Sequence, residues 1–174
     1  MNIVATPPAP AGPDPSANPA TPVSPVSPVS PVDWDHPTDP HPGPRLDHVR
    51  TYVSSGGTDG HLWHGVPTLL LTTLDRATGR PVRTPLVYAE DEGRYLVVAA
   101  DSGGPRLPAW YGNLTAHPEV RLQVGTRTFA AWARTADAVE RETYWEALTA
   151  LWPPYEDYQA LAGPRELPLV IVEG

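Results

Sequence analysis

Residues 66–114 read VPTLLLTTLDRATGRPVRTPLVYAEDEGRYLVVAADSGGPRLPAWYGNL, and the punctuation of this stretch decides the fold. Residues 67–73 are a short apolar run of leucine and threonine, the composition of a buried strand. An arginine- and glycine-marked turn follows over 75–82. Residues 84–89 and 94–100 then read as a hairpin around the charged turn Glu90, Asp91, Glu92 and Gly93. After a small-residue loop over 101–107, a helix is predicted to begin at Pro108 with Ala109, Trp110, Tyr111, Gly112 and Asn113. Glycine lets a backbone approach a ligand closely, arginine pairs with phosphate or carboxylate, and tryptophan offers a flat apolar face. Together these residues outline a pocket for a flat, anionic ligand.

Toward the C-terminus, residues 120–124 and 128–135 alternate as two further strands turning at Gly125. Asp137 caps a helix whose Tyr144, Ala147, Leu148 and Leu151 form one apolar face, and Pro153 with Pro154 terminate it. A second short helix carries Tyr155, Tyr158 and Leu161 and stops at Gly163 and Pro164; residues 167–172 are the final strand. Toward the N-terminus, Leu46, Val49 and Val53 at spacings of three and four predict a short helix ended by Gly56 and Gly57. His61 and His64 flank Trp63. With no third ligand evident nearby, no metal site is expected, and two surface histidines beside a packed tryptophan is the better reading. The tally is about six mainly antiparallel strands and four peripheral helices, an α+β fold built on a small antiparallel barrel.

Residues 1–44 are different. They hold 14 of the 24 prolines and no arginine, with Pro-Val-Ser recurring through Pro22, Pro25, Pro28 and Pro31. Proline fixes φ and removes donors, so this segment is expected to be a disordered, polyproline-like arm ahead of a domain spanning 45–174. A docking peptide for a proline-recognising partner is the less common use of such composition.

At 174 residues and a net charge of -8, the chain is long enough for one domain with a real core. All 12 basic residues are arginine, so any phosphate contact uses a guanidinium fork. The acidic balance argues against a nucleic-acid partner, which needs a clustered basic surface. Without cysteine there are no disulfides, thiolate metal sites or cysteine nucleophiles, and redox chemistry must come from a cofactor. No apolar run reaches about 18 residues, which excludes an integral membrane helix, and the N-terminus lacks the basic and apolar regions of a signal peptide. A cytoplasmic location is expected.

Taken in order, the marks resemble the deazaflavin-dependent nitroreductase family, also called the F420H2-dependent quinone reductase family. They are the Thr72-Thr73 strand end, the basic-x-Thr-Gly turn at 76–79, Thr84-Pro85-Leu86, Pro108-x-Trp110-Tyr111-x-Asn113-Leu114, and Tyr155-x-Asp157-Tyr158-Gln159. The resemblance covers residues 45–174, is strongest in 66–114 and in Trp152 to Gln159, and excludes the arm. It implies a split β-barrel, similar to the FMN-binding split barrels, that holds coenzyme F420, an 8-hydroxy-5-deazaflavin with a phosphate and polyglutamate tail. Carried over, Arg76, Thr78 and Gly79 match the family's basic turn, and Thr84 and Pro85 match the strand along the ring. Ala100, Asp101, Ser102, Gly103 and Gly104 match its small loop. Pro108, Ala109, Trp110, Tyr111 and Asn113 match the helix start that closes the tail site, and Arg83 and Arg106 stand close enough in sequence to join it. The chain departs from the family at Ala77 and Val82, where a basic residue is common, and at Asp101, where lysine is.

The resemblance implies hydride transfer from the reduced deazaflavin to a small-molecule acceptor, a quinone, nitroaromatic or activated enone. Tyrosine suits the accompanying hydrogen bond, since its hydroxyl donates and stays protonated at neutral pH; Tyr155 and Tyr158 are the catalytic candidates. Trp152, Tyr88 and Trp63 are the candidates for the acceptor's side. An FMN-dependent split-barrel oxidoreductase and a non-catalytic F420 or flavin carrier are the alternatives. The oligomeric state stays open, a homodimer included, as does peripheral membrane contact for quinone acceptors, for which no basic amphipathic helix supplies an anchor.

Overall fold

The computed structural model describes residues 31–174. Strand β2 (Val66–Leu74) is buried from Thr68 to Thr73 because both of its faces are covered and both of its edges are paired. Leu69 and Leu71 point into the barrel, whereas Leu70 packs on Val49 and Tyr52 of helix α1 (Pro44–Ser54). That two-sided burial is why the run reads as uniformly apolar rather than alternating. Its neighbours are β3 (Pro81–Val87) on one edge and β6 (Glu119–Val124) on the other, with the two-residue β1 (Leu62–Trp63) folded back on its start.

The sheet continues from β6 to β7 (Arg127–Thr135), β8 (Leu169–Glu173), β5 (Arg94–Val98) and β4 (Ala89–Asp91), every pair antiparallel. Strands β3 and β4 are one chain path interrupted only at Tyr88. Its first part pairs with β2 and its last three residues pair with β5, so the path links the two ends of the sheet and closes the barrel. On β5, Tyr95 and Val97 face inward to join Leu69, Leu71, Trp110 and Leu122; Leu96 and Val98 face outward to pack with Leu148, Tyr155 and Ile171. The outer layer is built by helices α3 (Ala138–Leu151) and α4 (Pro154–Ala162), and α2 (Ala109–Ala116) plugs the barrel with Trp110 and Leu114.

The α+β split barrel expected from the sequence is the fold observed, with eight strands rather than about six because β1 and β4 are too short to carry a pattern. Glu90 and Asp91 belong to β4 and not to the turn, which is Glu92-Gly93 alone, both at positive φ as a two-residue hairpin demands. Three helix faces are corrected. In α1, Tyr52 and His48 are buried and Val53 is exposed. In α3, Trp145 and Thr149 face inward in place of Ala147. In α4, Leu161 stands 71% exposed, its stem over Gly103, while Ala162 packs inward. In each case the covering element, not the helix's own periodicity, chose the face.

Tyr52 explains the position of α1. Its hydroxyl donates to Thr68 O at 3.0 Å and accepts from Gly125 N at 2.8 Å, tying the helix to β2 and to the β6–β7 turn. Gly57 lets that turn close in, since a Cβ there would stand 1.8 Å from Gly125 O.

The expected arm over residues 1–44 lies outside the described residues for its first 30 positions. Residues 31–43 are described, and the segment touches the free edge of β3 at Thr38, whose N donates to Pro81 O (2.8 Å) and whose O accepts from Arg83 N (2.9 Å). Trp34 lies 5.2 Å from the Arg121 guanidinium. The boundary expected after residue 44 therefore falls inside the unit Pro31–Gly174. The physical reason is the unpaired edge of β3, which offers backbone donors and acceptors to any extended segment.

Asp137 caps α3 as expected, and the cap extends to a full capping box: Asp137 Oδ1 accepts from Glu140 N, and Glu140 Oε2 accepts from Asp137 N, each at 2.9 Å. Arg134 of β7 also pairs with both Glu140 oxygens, at 2.8 and 2.7 Å. The Arg134 bonds first, and then the Asp137 amide, hold the Glu140 carboxyl down to about 2 from its ordinary 4.5. A depressed folded value means the stabilisation is complete above the unfolded value and lost as pH falls through the folded one. The unfolding free-energy gap between the unaltered protein and Glu140→Gln is expected to be level above about pH 5 and to shrink between about pH 4.5 and 2. Its size is small because both partners are partly exposed. A gap that stays level down to pH 2 in denaturant titrations overturns this assignment.

Candidate active site

Two cavities meet at Arg45 and Pro85 on the outer side of β3. The first, of about 260 Å³, is walled by β3 at Pro85, Leu86 and Val87, floored by Val98 and Ala100, and faced by the rings of Trp152, Tyr155, Tyr158 and Trp63. Proline at 85 removes a backbone donor from the strand edge, leaving a flat apolar wall there. The rings arrive together because the Pro153-Pro154 break turns the chain at Trp152 and restarts it as α4, whose three-residue spacing sets Tyr155 and Tyr158 on one face. Their rings meet edge to face at 6.3 Å.

Tyr155 is 6% exposed, lines the cavity, and has no hydrogen-bond partner among the described residues. Burial, and then the neighbouring Tyr158, push its hydroxyl far above the usual tyrosine range. It is therefore a neutral donor at any working pH. The hydroxyl itself is not sealed off, since no fully buried side-chain polar atom among the described residues lacks a partner; it opens onto the cavity, where it is free to donate to a ligand oxygen.

His48, from α1, supports the opposite wall. Its Nε2 lies 2.6 Å from Gly60 O; a carbonyl only accepts, so Nε2 carries the hydrogen. Its ring stacks on Trp63 at 4.7 Å, fixing the indole at the cavity rim.

The second cavity, of about 450 Å³, lies between β3 at Val82, Arg83 and Thr84, the start of α2 at Pro108, Ala109 and Trp110, and residues 38–41. Helix α2 begins at Pro108 in extended conformation with no side-chain cap, so its first amides and the positive end of its dipole face this space. Two arginines line it: Arg83, its side chain 16% exposed and its Nη1 3.5 Å from Asp39 Oδ1, and Arg45. Arg45 stands at the junction of the two cavities with Asp101 at 4.0 Å.

Of the residues expected at the site, Pro85, Ala100, Ser102, Trp63, Trp152, Tyr155 and Tyr158 line the first cavity. Arg83, Thr84, Asp101, Pro108, Ala109, Trp110 and Asn113 line the second. Asn113 is largely a brace: its side chain accepts from Arg76 N at 3.2 Å and donates to Thr73 Oγ1 at 3.2 Å, pinning α2 to the end of β2.

The others line neither cavity. Thr78 and Gly79 build the turn, with Asp75 Oδ1 accepting from Thr78 N and Oγ1. Arg76 lies against Gly112, where a Cβ would stand 3.0 Å from its Nη1. Gly103 seats the loop on α4 at Tyr158 and Leu161, Gly104 lies close against Asp101 of the same loop, and Arg165 donates to Gly104 O at 3.2 Å. Arg106 is exposed. Tyr88 turns inward onto Tyr95, and the Tyr111 hydroxyl bonds Thr135, so both serve the barrel.

Sequence reasoning missed Arg45, His48 and Asp39. The first two sit three apart on α1, a spacing that placed them on one face had that helix been read for polar as well as apolar periodicity. Nothing local marks Asp39. No cluster of three or more metal-binding side chains occurs among the described residues.

The model of the F420H(2)-dependent quinone reductase family matches residues 45–174. An F420H(2)-dependent quinone reductase of Mycobacterium tuberculosis is 43% identical over 88 residues, 50% of this chain and 59% of that protein, so the match spans little more than half of that relative. A second M. tuberculosis protein named for the same activity is 31% identical over 107 residues, 62% of this chain and 89% of its own length. Among solved structures, an F420-H2 dependent reductase, FDR-A, matches with TM-score 0.58 at 36% identity, covering 62% of this chain and 94% of that one.

Proposed function

Because the chain belongs to the F420H(2)-dependent quinone reductase family, we propose that it is an F420H2-dependent oxidoreductase delivering hydride to a quinone, nitroaromatic or activated enone. The observation that carries this reading is the Tyr155 hydroxyl, neutral, without a protein partner among the described residues, and opening onto an aromatic cavity that abuts a cation-bearing one. The residues fit a flat cofactor with an anionic tail. Pro85, Leu86 and Val87 present the flat wall for a ring system, and Arg83 with the first turn of α2 faces the space suited to phosphate. Bound reduced deazaflavin supplies the hydride.

The chain's own residues do the rest. Tyr155 donates a hydrogen bond to the acceptor oxygen that gains negative charge, an interaction strongest where water is excluded. Tyr158, Trp152 and Trp63 hold a flat acceptor by its faces and keep water out. No helix among the described residues is long and apolar enough to cross a membrane.

The test is an absorbance titration of the purified full chain with F420, FMN and FAD. Tighter binding of F420 than of FMN is expected, because the second cavity offers more room for an extended anionic tail than a single phosphate fills. FMN binding equal to or stronger than F420 binding overturns the reading in favour of a flavoprotein. Tight F420 binding without turnover of any acceptor would instead make the protein a carrier.

A further inference from the structure

Arg83 is not free in its cavity. Asp39 Oδ1 stands 3.5 Å from Arg83 Nη1, and the segment that carries Asp39 is fixed by its backbone: Thr38 N donates to Pro81 O at 2.8 Å and Arg83 N donates to Thr38 O at 2.9 Å. Thr38, Asp39, Pro40 and His41 are themselves walls of the 450 Å³ cavity, opposite the first turn of α2. A carboxylate is thus held where an anionic ligand group would be expected to meet the guanidinium. The Arg83 side chain is 16% exposed and Asp39 37%, so solvent screens this pair less than a surface one.

We propose that Asp39 is an intramolecular counter-ion that competes with the anionic part of the cofactor for Arg83, so that the strap of residues 37–41 sets how strongly the cleft prefers an anionic ligand. This rests on the deazaflavin reading above and adds a specificity-determining residue to it. The physical logic is an exchange. An incoming phosphate or carboxylate gains the Arg83 pair only by breaking the one that Asp39 already makes, and it also meets the displaced carboxylate as a like charge. A ligand with the same ring and no anionic group gives up nothing, because the strap does not line the ring cavity. Discrimination by tail charge is consequently lower than the arginine alone would produce, and it is adjustable through one side chain outside the barrel strands.

The geometry also predicts which neighbouring acid is irrelevant. Asp35 lies four residues earlier in the same segment and lines another cavity, which Arg83 also borders, beside Trp34 and Arg121; its carboxylate makes no ion pair with Arg83, which Asp39 does. Its removal changes net charge by the same amount without freeing Arg83 on the cleft side.

The experiment measures equilibrium binding of F420 and of its phosphate-free fragment, 8-hydroxy-5-deazariboflavin, by the full chain and by Asp39→Asn and Asp35→Asn, at low and at physiological salt. Asp39→Asn is expected to tighten F420 binding about 3- to 10-fold, the scale of a partly exposed ion pair, and to leave the fragment unchanged. Asp35→Asn is expected to move neither. Equal tightening by both variants would show a long-range charge effect and overturn the proposal. So would unchanged F420 affinity in Asp39→Asn with a melting temperature equal to that of the unaltered chain. If Asp39→Asn lowers the melting temperature, Asp39→Glu, which retains the charge, separates strap packing from competition: affinity that rises in the asparagine variant and stays low in the glutamate variant supports the exchange, and a rise in both overturns it. If the unaltered chain binds neither probe, the deazaflavin reading falls and this inference with it; binding of both probes with an unchanged ratio across variants removes only this inference.

Discussion

Replacing Tyr155 by phenylalanine is expected to lower kcat/KM for hydride transfer about 10- to 1,000-fold, equivalent to roughly 1.4 to 4 kcal/mol of transition-state stabilisation. The substitution keeps the ring that packs beside Trp145 and Tyr158 and deletes only the hydroxyl. Because that hydroxyl has no protein partner among the described residues, its loss leaves no orphaned donor or acceptor behind, and melting temperature and F420 affinity should hardly move. The upward shift of the hydroxyl's pKa adds a second readout. A phenol held neutral by burial does not ionise at mildly alkaline pH, so the unaltered protein should show no loss of kcat/KM near the ordinary tyrosine range that the phenylalanine variant lacks. Tyr158→Phe should have the smaller effect, since Tyr158 is only half-buried at the mouth of the same cavity. Full retention of transfer to menadione and to a nitroaromatic by both variants would make the pair packing residues and water the proton source.

The second large effect is expected at Arg83. Arg83→Gln removes the less exposed of the two arginines in the tail cavity and leaves Asp39 as an unpaired negative charge beside an anionic ligand. F420 affinity should fall by roughly 1.5 to 3 kcal/mol, the scale of hydrogen bonds to charged groups, while the phosphate-free fragment is almost indifferent. The same change at Arg76 or Arg106 should cost far less, because Arg76 lies on Gly112 outside both cavities and Arg106 is exposed. A loss common to F420 and the fragment would point to a disturbed β3 edge and not to a lost phosphate contact. That control matters because the backbone of Arg83 also holds the strap through Thr38.

What the sequence determined by itself is what short-range chemistry determines. The apolar run at 67–73, the Asp137 helix cap, the Gly125 turn and the Pro153-Pro154 break each act over a few residues, and each stands in the structure where its pattern put it. The tyrosine pair on α4 was legible for the same reason, since a three-residue spacing on a helix is a local fact. The tertiary structure alone decided which residues share a cavity. Arg76, Arg83 and Arg106 are indistinguishable as sequence, and only the tertiary structure sets Arg83 in the wall of the cavity that the start of α2 also lines, while the Asp75 turn carries Arg76 onto Gly112. Likewise Tyr52 displaced Val53, and Trp145 displaced Ala147, because the covering strands select a helix face after the helix has formed. Residues 31–43 carry no periodicity at all. Their place depends on the unpaired edge of β3, some forty residues further on, and that edge is presented only once β3 has paired with β2 on its other side.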